Sequence, residues 1–579
     1  MGACSPVPYV LVVACFLFLS GIFLPRLLQL QLEQGIRTAV VWRPDSPPEV
    51  DARYRSNAGT NGTRDFVEVF LFNITNVAEI RNGSRPKLEE VGPFTYAKVK
   101  RKIYTWWDRA GGVEVKEWDY YVPVPGLVDA PAPSTAIVTT LNMALIGVVE
   151  GIHAAYGPSY ARWLDWVAYA LAEFSDGHVD GLFTRRSAHE LIWGYDDLFL
   201  SRLSRMLPAG TIPTTRVELL HNASEEETLA AVPTVFDTGG RNVSAVWNTL
   251  SDAGHTEATC WNGCTERVTG TDGTQFHPSV RPSDVLKVWV PQVYRSQTFL
   301  FESEVQWDGV RFLRFTTDPA DFAVDACHFQ ELRGLMNLTT PHAVGINGTA
   351  SAAAGGPPLY LSRPHFCGCD ASLASGVDGL ACNESRHRTW IDVEPITGIT
   401  MRGHTSMMAS SEMTPTARAY LEPKIARTNN KSVIIPIFFF EEHAGAGDAD
   451  VVGFREGVYW VLALQRAFSH FVLPAGAALL ALGLIALVVT RLGLLPAAVS
   501  GSAGRVDGGT DEEGARREGL LQGGASGAGA GGHYYPDTAA QQRQLTHGTP
   551  GVSPAASVFG GGGDDLAAPL LQPSGAARD

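Results

Sequence analysis

Three short stretches carry residue types that do chemistry in many enzymes, and each fails on the geometry that chemistry needs. Asp237-Thr-Gly239 has the form of an aspartic-protease loop, but that reaction requires two carboxylates sharing one proton, and no second Asp-Thr/Ser-Gly occurs. A strand followed by a glycine turn is expected there instead. His189-Glu-Leu-Ile-Trp193 has Trp where a zinc-protease helix needs its second His, so one helix face cannot present both ligands. His365-Phe-Cys-Gly-Cys369 with Cys382 offers zinc-binding residue types, but Cys-x-Cys is poor spacing for zinc. Nucleophile elbows and phosphate loops are absent from the sequence. No catalytic residue, metal or cofactor is expected.

The chemistry that the sequence does support is that of a secretory compartment. Asn-x-Ser/Thr acceptors occur at Asn61, Asn73, Asn82, Asn222, Asn242, Asn337, Asn347, Asn383 and Asn430, and the last eighty-odd residues contain no Asn at all. Cys260, Cys264, Cys327, Cys367, Cys369 and Cys382 fall in the same central stretch, where disulfides would persist.

Two uncharged runs bracket that stretch. Residues 471–490 hold no charge between His470 and Arg491, and at about 1.5 Å per helical residue such a run spans about 30 Å, the thickness of a bilayer core. Residues 6–25 form a second run, closed by Arg26. A cleaved signal peptide fits it less well than an uncleaved anchor, because no basic residue precedes it and no small-residue cleavage site follows. The expected organisation is a cytoplasmic N-terminus over 1–6, a membrane helix over 7–25, a glycosylated lumenal or extracellular ectodomain over 26–470, a second membrane helix over 471–490, and a cytoplasmic tail over 491–579. Cys4 would then lie at the cytoplasmic end of the first span, as a palmitoylation candidate.

Charge narrows the partners. The formal net charge is −15, most of it in the ectodomain, which disfavours nucleic acid and heparin-type polyanions. With hydrophobic residues at 45%, the ectodomain can bury a sizeable core. The tail, rich in Gly, Ala, Ser and Gln, cannot, and disorder is expected.

In chain order, residues 64–73 read as a strand. In residues 88–107, Gly92-Pro93 reads as a turn between two strands. Residues 135–195 change to helical character: Ile137, Leu141, Leu145 and Val148 recur at helical spacing, and Trp163, Trp166, Val167, Ala170, Leu171 and Phe174 form a second stripe. Ser187-Ala-His-Glu190 has the form of a capping box opening a third helix. Strands return beyond this region. Asp308-Gly309 between two apolar segments is a strong two-residue hairpin signal, and Pro436 marks the 432–440 strand as an edge or a bulge. The whole reads as an α+β ectodomain.

The order of an N-terminal span ending Gly21-x-x-x-Pro25, a strand with sequons, and Val91-Gly-Pro-Phe-Thr-Tyr96 resembles the class B scavenger receptor family, which includes fatty-acid translocase and the lysosomal integral membrane protein. Glu190-Leu-Ile-Trp-Gly-Tyr195, Tyr360-Leu-Ser-Arg-Pro-His-Phe366 and, most specifically, the stretch from His387 to Gly398 (HRTWIDVEPITG) resemble it too.

The resemblance implies an antiparallel β-barrel core around a long apolar tunnel, and a helical apex over 135–195 where ligands and partner proteins dock. It also implies a Cys264–Cys327 disulfide, leaving the pairing of Cys260, Cys367, Cys369 and Cys382 open. The apex surface would include Arg162, Trp163, Asp165, Trp166, Asp176, His178 and Asp180. Where fatty-acid translocase has a basic cluster for anionic lipoprotein, the matching stretch here is Ser175-Asp-Gly-His-Val-Asp180, which would repel an anionic particle at neutral pH. Near the C-terminus, Asp564-Asp-Leu-Ala-Ala-Pro-Leu-Leu571 resembles an acidic dileucine sorting signal with one residue too many.

The function expected from the resemblance is that of a non-enzymatic membrane receptor. It would bind a lipid (fatty acid, sterol or phospholipid) or a lipoprotein particle and pass lipid through the tunnel. The alternative is an endosomal or lysosomal cargo receptor that docks a lumenal hydrolase at its apex. Residence at the plasma membrane or in endolysosomes stays open.

Overall fold

The two uncharged runs are helices, and both outrun their apolar stretches. A computed structural model describes residues 7–492 except 47, 56–64, 108–110, 125–131, 158–178, 207–214, 349–356, 423–424, 426–431 and 447. The N-terminal helix is Val7–Val40 and the C-terminal one Val451–Arg491, and each is long and apolar enough to cross a membrane. The chain divides into two units, one of residues 1–20 with 472–553 and one built on residues 21–471.

In the first unit the helix ends pack antiparallel through small residues. A Cβ on Gly476 would stand 2.5 Å from the backbone nitrogen of Phe18, and one on Gly483 would stand 2.7 Å from Leu11. Ala14, fully buried, lies between the two contacts. In lipid, where burial of apolar surface brings no gain, such close backbone approach is what holds helices together.

The second unit is built around a thirteen-stranded antiparallel sheet. Eleven of its strands form one path, labelled here in chain order. The first three are β1 (Phe66–Ile74), β2 (Leu88–Trp107) and β3 (Gly112–Pro123). Next come β4 (Thr234–Asp237), β5 (Thr249–Ser251), β6 (Leu286–Val290), β7 (Arg295–Trp307) and β8 (Val310–Thr317). The last are β9 (Trp390–Val393), β10 (Thr400–Met413) and β11 (Val433–Gly445). Their spatial order is β5-β4-β3-β2-β1-β11-β10-β9-β8-β7-β6.

The two edges of this path nearly meet. Thr249 of β5 donates its N–H to the Gly270 carbonyl at 2.6 Å, and Thr271 pairs with β6 through Lys287 and Trp289. Segment 268–272 thus bridges the edges, and a nearly closed, barrel-like ring results.

Several local readings hold for identifiable reasons. Asp308 and Gly309, both at positive φ, turn β7 into β8. Ser187 accepts from the Glu190 N–H while the Glu190 carboxylate takes the Ser187 N–H, opening the helix Ala188–Trp193. Asp237 ends β4 and accepts from Gly239 N–H at 2.8 Å, which makes the Asp-Thr-Gly sequence a turn. Pro436 sits at a bulge, opposite the register shift at Ala409/Ser410, and not at an edge.

Two readings need correction. Gly92-Pro93 is no turn, because β2 runs through it and the missing Pro N–H is absorbed by a bulge against Val69 and Leu71 of β1. Residues Ile137–Leu141 are a strand paired with Phe183–Ser187, and the helix starts only at Met143, capped by Asn142. A spacing of four also returns to the same face of a strand, and the β-branched Ile-Val-Thr-Thr favours extension.

Gly270 lies at the point of ring closure, its carbonyl accepting from Thr249 N–H. It has φ +96°, and a Cβ there would lie 2.6 Å from the Lys287 carbonyl oxygen. Gly270→Ala should therefore lower the stability of the detergent-solubilised protein by about 1–3 kcal/mol. Thermal unfolding monitored by circular dichroism checks this, with Gly457→Ala, which meets no neighbouring atom, as the unaffected control.

Candidate functional site: the interior face of the barrel

Strand β2 carries Lys98, Lys100 and Lys102 at period two, so all three ammonium groups leave the sheet on one face. Opposite them on β3 stand Tyr121, Asp119 and Glu117 in register. Lys98 Nζ reaches Glu442 of β11 at 3.0 Å, passing over the intervening β1, and Asp119 at 3.5 Å. Lys100 lies 3.6 Å from Glu117, and Lys102 pairs with Glu117 at 3.5 Å and with Asp272. Asp272 comes from the edge-bridging segment and also accepts from Thr274 N–H at 2.9 Å.

Side chains converge on the concave face of a curved sheet and diverge on the convex one. We take this face, on which Lys98 crosses β1 to reach Glu442, as the inside of the ring. Lys98 and Lys100 are half-buried, with 12% and 24% of their side-chain surface accessible.

The charges hold one another in the ionised state. Burial works against the Lys98 ammonium, but Glu442 and Asp119 outweigh it and raise its pKa well above the ordinary value. Glu117 raises that of Lys100. Burial would push the Asp272 carboxyl up, but Lys102 and Lys100 keep it well below the carboxylate range. Asp119 is lowered in the same way by Lys100 and Lys98 against the cost of burial.

The same face changes character around the ring. Register carries it from Glu442 to Thr405 and from Phe440 to Met407, all four half-buried. It then runs through Ile391, Phe315 and Phe301, and an apolar cluster of Leu286, Phe299, Leu313, Phe315, Ile391 and Val393 covers that wall, with Phe276 and Val280 packed on it. One wall of the interior is ionic and the other apolar. At one end of the ionic wall, Trp42, Tyr54, Tyr104, Val113, Val115, Phe236 and Trp247 pack together, with Lys102 Nζ 4.8 Å above the Trp247 ring.

The outer face of β1, β10 and β11 is packed under segment 363–389. Phe70 stacks on Phe439 at 4.4 Å, and His365 stacks on His387 at 4.8 Å. His365 Nε2 lies 3.1 Å from Glu90, whose pKa falls because the His365 contact outweighs burial, and burial takes His387 down to about 4. A disulfide joins Cys367 to Cys382 across this segment, a pairing the sequence left open. A second joins Cys264 to Cys327. Cys260 and Cys369 are buried thiols, pushed up to about 12 and about 11 by burial.

Of the apex residues, Arg162, Trp163, Asp165, Trp166, Asp176 and His178 lie outside the described residues, as does Cys4. Asp180 is described only as a strand residue paired with Phe183. Asn82, Asn222, Asn242 and Asn383 are exposed, Asn73, Asn337 and Asn347 half-buried, and Asn61 and Asn430 outside the described residues. The ionic wall was missed in the sequence because alternating Lys on a strand reads as a solvent-facing edge. Its signal was the matching alternation of Glu117 and Asp119 on β3, visible only once the register is known.

The CD36 family model matches residues 59–487, most of the chain. The chain belongs to the CD36 family. It is 24% identical to lysosome membrane protein 2 of Rattus norvegicus over 387 residues, covering 65% of this chain and 74% of that one. To scavenger receptor class B member 1 of Bos taurus it is 24% identical over 438 residues, 73% of this chain and 78% of the relative. The mouse scavenger receptor class B member 1 is 25% identical over 457 residues, with the same coverage. Together with the two terminal apolar helices, this CD36 family membership makes the chain a two-span membrane protein of the class B scavenger receptor type.

The pH behaviour of the ionic wall follows from the directions of these shifts. A lowered Asp272 contributes stability above the ordinary carboxyl range and loses it only as pH falls through its own, lower value. Raised Lys98 and Lys100 contribute below the ordinary lysine value and lose it only at higher pH. Asp272→Asn should thus cost about 3 kcal/mol, equally at pH 7 and pH 5. Glu304→Gln, in the exposed Arg311 pair, should cost under about 1 kcal/mol. Urea unfolding of the full-length protein at both pH values checks the pair.

Proposed function

We propose that this protein is a non-enzymatic membrane receptor that takes lipid from a lipid-bearing particle and passes it through the interior of the β-ring. The observation that carries the reading is the two-sided face, apolar at the half-buried Phe301, Met407 and Phe440 and ionic at Lys98, Lys100 and Asp272. Such an interior suits an amphiphile. Each methylene laid against the apolar wall contributes about 0.8 kcal/mol, and a polar head finds charged partners opposite. No catalytic group is needed for such a transfer.

The ionic wall adds a charged side to the long apolar tunnel that the family resemblance implies. Three lysines face four carboxylates (Glu117, Asp119, Asp272 and Glu442). A phospholipid whose head group carries a cation to pair with the surplus carboxylate is favoured over a fatty acid or a sterol. We place the capture surface at the apex, on Arg162, Trp163, Asp165, Trp166, Asp176, His178 and Asp180. Both termini are placed in the cytoplasm and the sequons in the lumen or outside the cell, with residence at the plasma membrane or in endolysosomes.

Met407 and Phe440 form a cross-strand pair on the interior face, so Met407→Trp narrows that space with a residue the exterior never meets. Lipid extracted from the purified protein and quantified by mass spectrometry should fall at least about threefold in this variant, and transfer of a fluorescent phospholipid into vesicles should fall with it. Unchanged lipid content and transfer in a correctly folded Met407→Trp protein would remove the interior from the mechanism.

A further inference from the structure

On the outer face of the ring, four side chains from three neighbouring strands converge. His404 of β10 and His443 of β11 are a direct cross-strand pair, their rings 4.7 Å apart. Glu441 lies two residues before His443, on the same face, and pairs across with Glu68 of β1. Ligand atoms of His404, Glu441 and His443 all lie within 4.8 Å of one another. Glu68 Oε2 stands 3.4 Å from His443 Nε2.

We infer that His404, His443 and Glu441 form a binding site for a divalent cation of the zinc class. Two imidazoles and a carboxylate are the donor set zinc takes where a fourth position is left to water or another carboxylate, and soft thiolates are not needed. The site is oriented from behind. His404 Nδ1 lies 2.9 Å from the Arg388 carbonyl oxygen. A carbonyl only accepts, so Nδ1 carries the hydrogen and Nε2 keeps its lone pair for the metal. Glu68 supplies either a fourth oxygen or the carboxylate that fixes the His443 ring.

Charge points the same way. Carboxylates directly opposite on adjacent strands repel, yet Glu68 and Glu441 occupy such a pair, and Glu441 is 2% exposed. Arg386, with Nε 3.0 Å from Glu441 Oε1, supplies one positive charge on the Glu441 side. A dication between Glu441 and the two imidazoles would supply the balance. His443, with 45% of its side chain accessible, gives the ion a way in from solvent. Among the described residues, the two other groupings of ligand types each include both cysteines of a disulfide, Cys264 with Cys327 and Cys367 with Cys382, so their sulfurs are not available as thiolates.

Bound metal would tie β1, β10 and β11 together on the face opposite the ionic wall. The site lies on the strand that leads toward the C-terminal membrane helix. Neither the apex nor the interior of the ring takes part, so this inference stands apart from the lipid reading.

The test uses full-length protein in detergent, stripped with a chelator, re-equilibrated with zinc chloride alone and freed of excess. Elemental analysis should give one zinc per chain. Competition against a chromophoric chelator should show affinity at least ~30-fold weaker in His443→Gln and unchanged in His189→Gln, an exposed histidine elsewhere. Cobalt substituted for zinc should give visible absorption bands that His443→Gln and Glu441→Gln both abolish. His443 is accessible enough for its substitution to leave the fold intact, and the melting temperature of metal-free protein verifies this for each variant. Substoichiometric zinc in the wild type, or equal affinity in a folded His443→Gln protein, overturns the inference.

Discussion

Charges placed inside a ring of strands must neutralise one another or the ring would not close. Removing an isolated ammonium or carboxylate from water costs several kcal/mol even after relaxation, and only close partners offset it. Lys98, Lys100 and Lys102 meet that condition through partners on β3, on β11 and in the segment between the two sheet edges. The ladder therefore ties together parts of the sheet that backbone hydrogen bonds do not join directly. Closure in turn makes the interior a separate environment, and the apolar wall opposite depends on that separation.

The most specific sequence motif of the family proves to be a structural lock. In the stretch from His387 to Gly398, His387 stacks in the outer layer, and Asp392, fully buried, takes a bidentate pair of bonds from Arg314 and a contact from Arg402. The Arg314 guanidinium also lies over the Trp390 ring at 3.8 Å. Glu394 accepts from the N–H groups of Ile396 and Thr397 and from the Tyr459 hydroxyl at 3.0 Å. Tyr459 belongs to the C-terminal helix ahead of its apolar stretch. One short motif thus joins β8, β9, β10 and that helical segment.

Much of the scaffold was legible because local chemistry decides it. Asp308-Gly309 can adopt the positive φ values of its turn, Ser187 and Glu190 satisfy each other's backbone donors, and the two uncharged runs have no other stable form in lipid. What escaped was decided by register and tertiary contact. Ile137–Leu141 took the strand its partner offered, Gly92-Pro93 disappeared into a bulge, and Cys367 met Cys382 because two loops cover the same face. Candidate site residues divide along the same line. The apex positions rested on family resemblance, whereas the ionic wall and the His404–His443 pair arise from residues far apart in the chain.

The account depends on lipid residing within the ring and not merely against the membrane helices. The most direct measurement is photo-crosslinking with a phospholipid that carries a diazirine on one acyl chain, followed by peptide mapping of the full-length protein. Crosslinks on Met407, Phe440 and Phe301 are the result this account predicts. Crosslinks confined to 7–25 and 471–490, or to the outer face at Phe70 and Phe439, would contradict it.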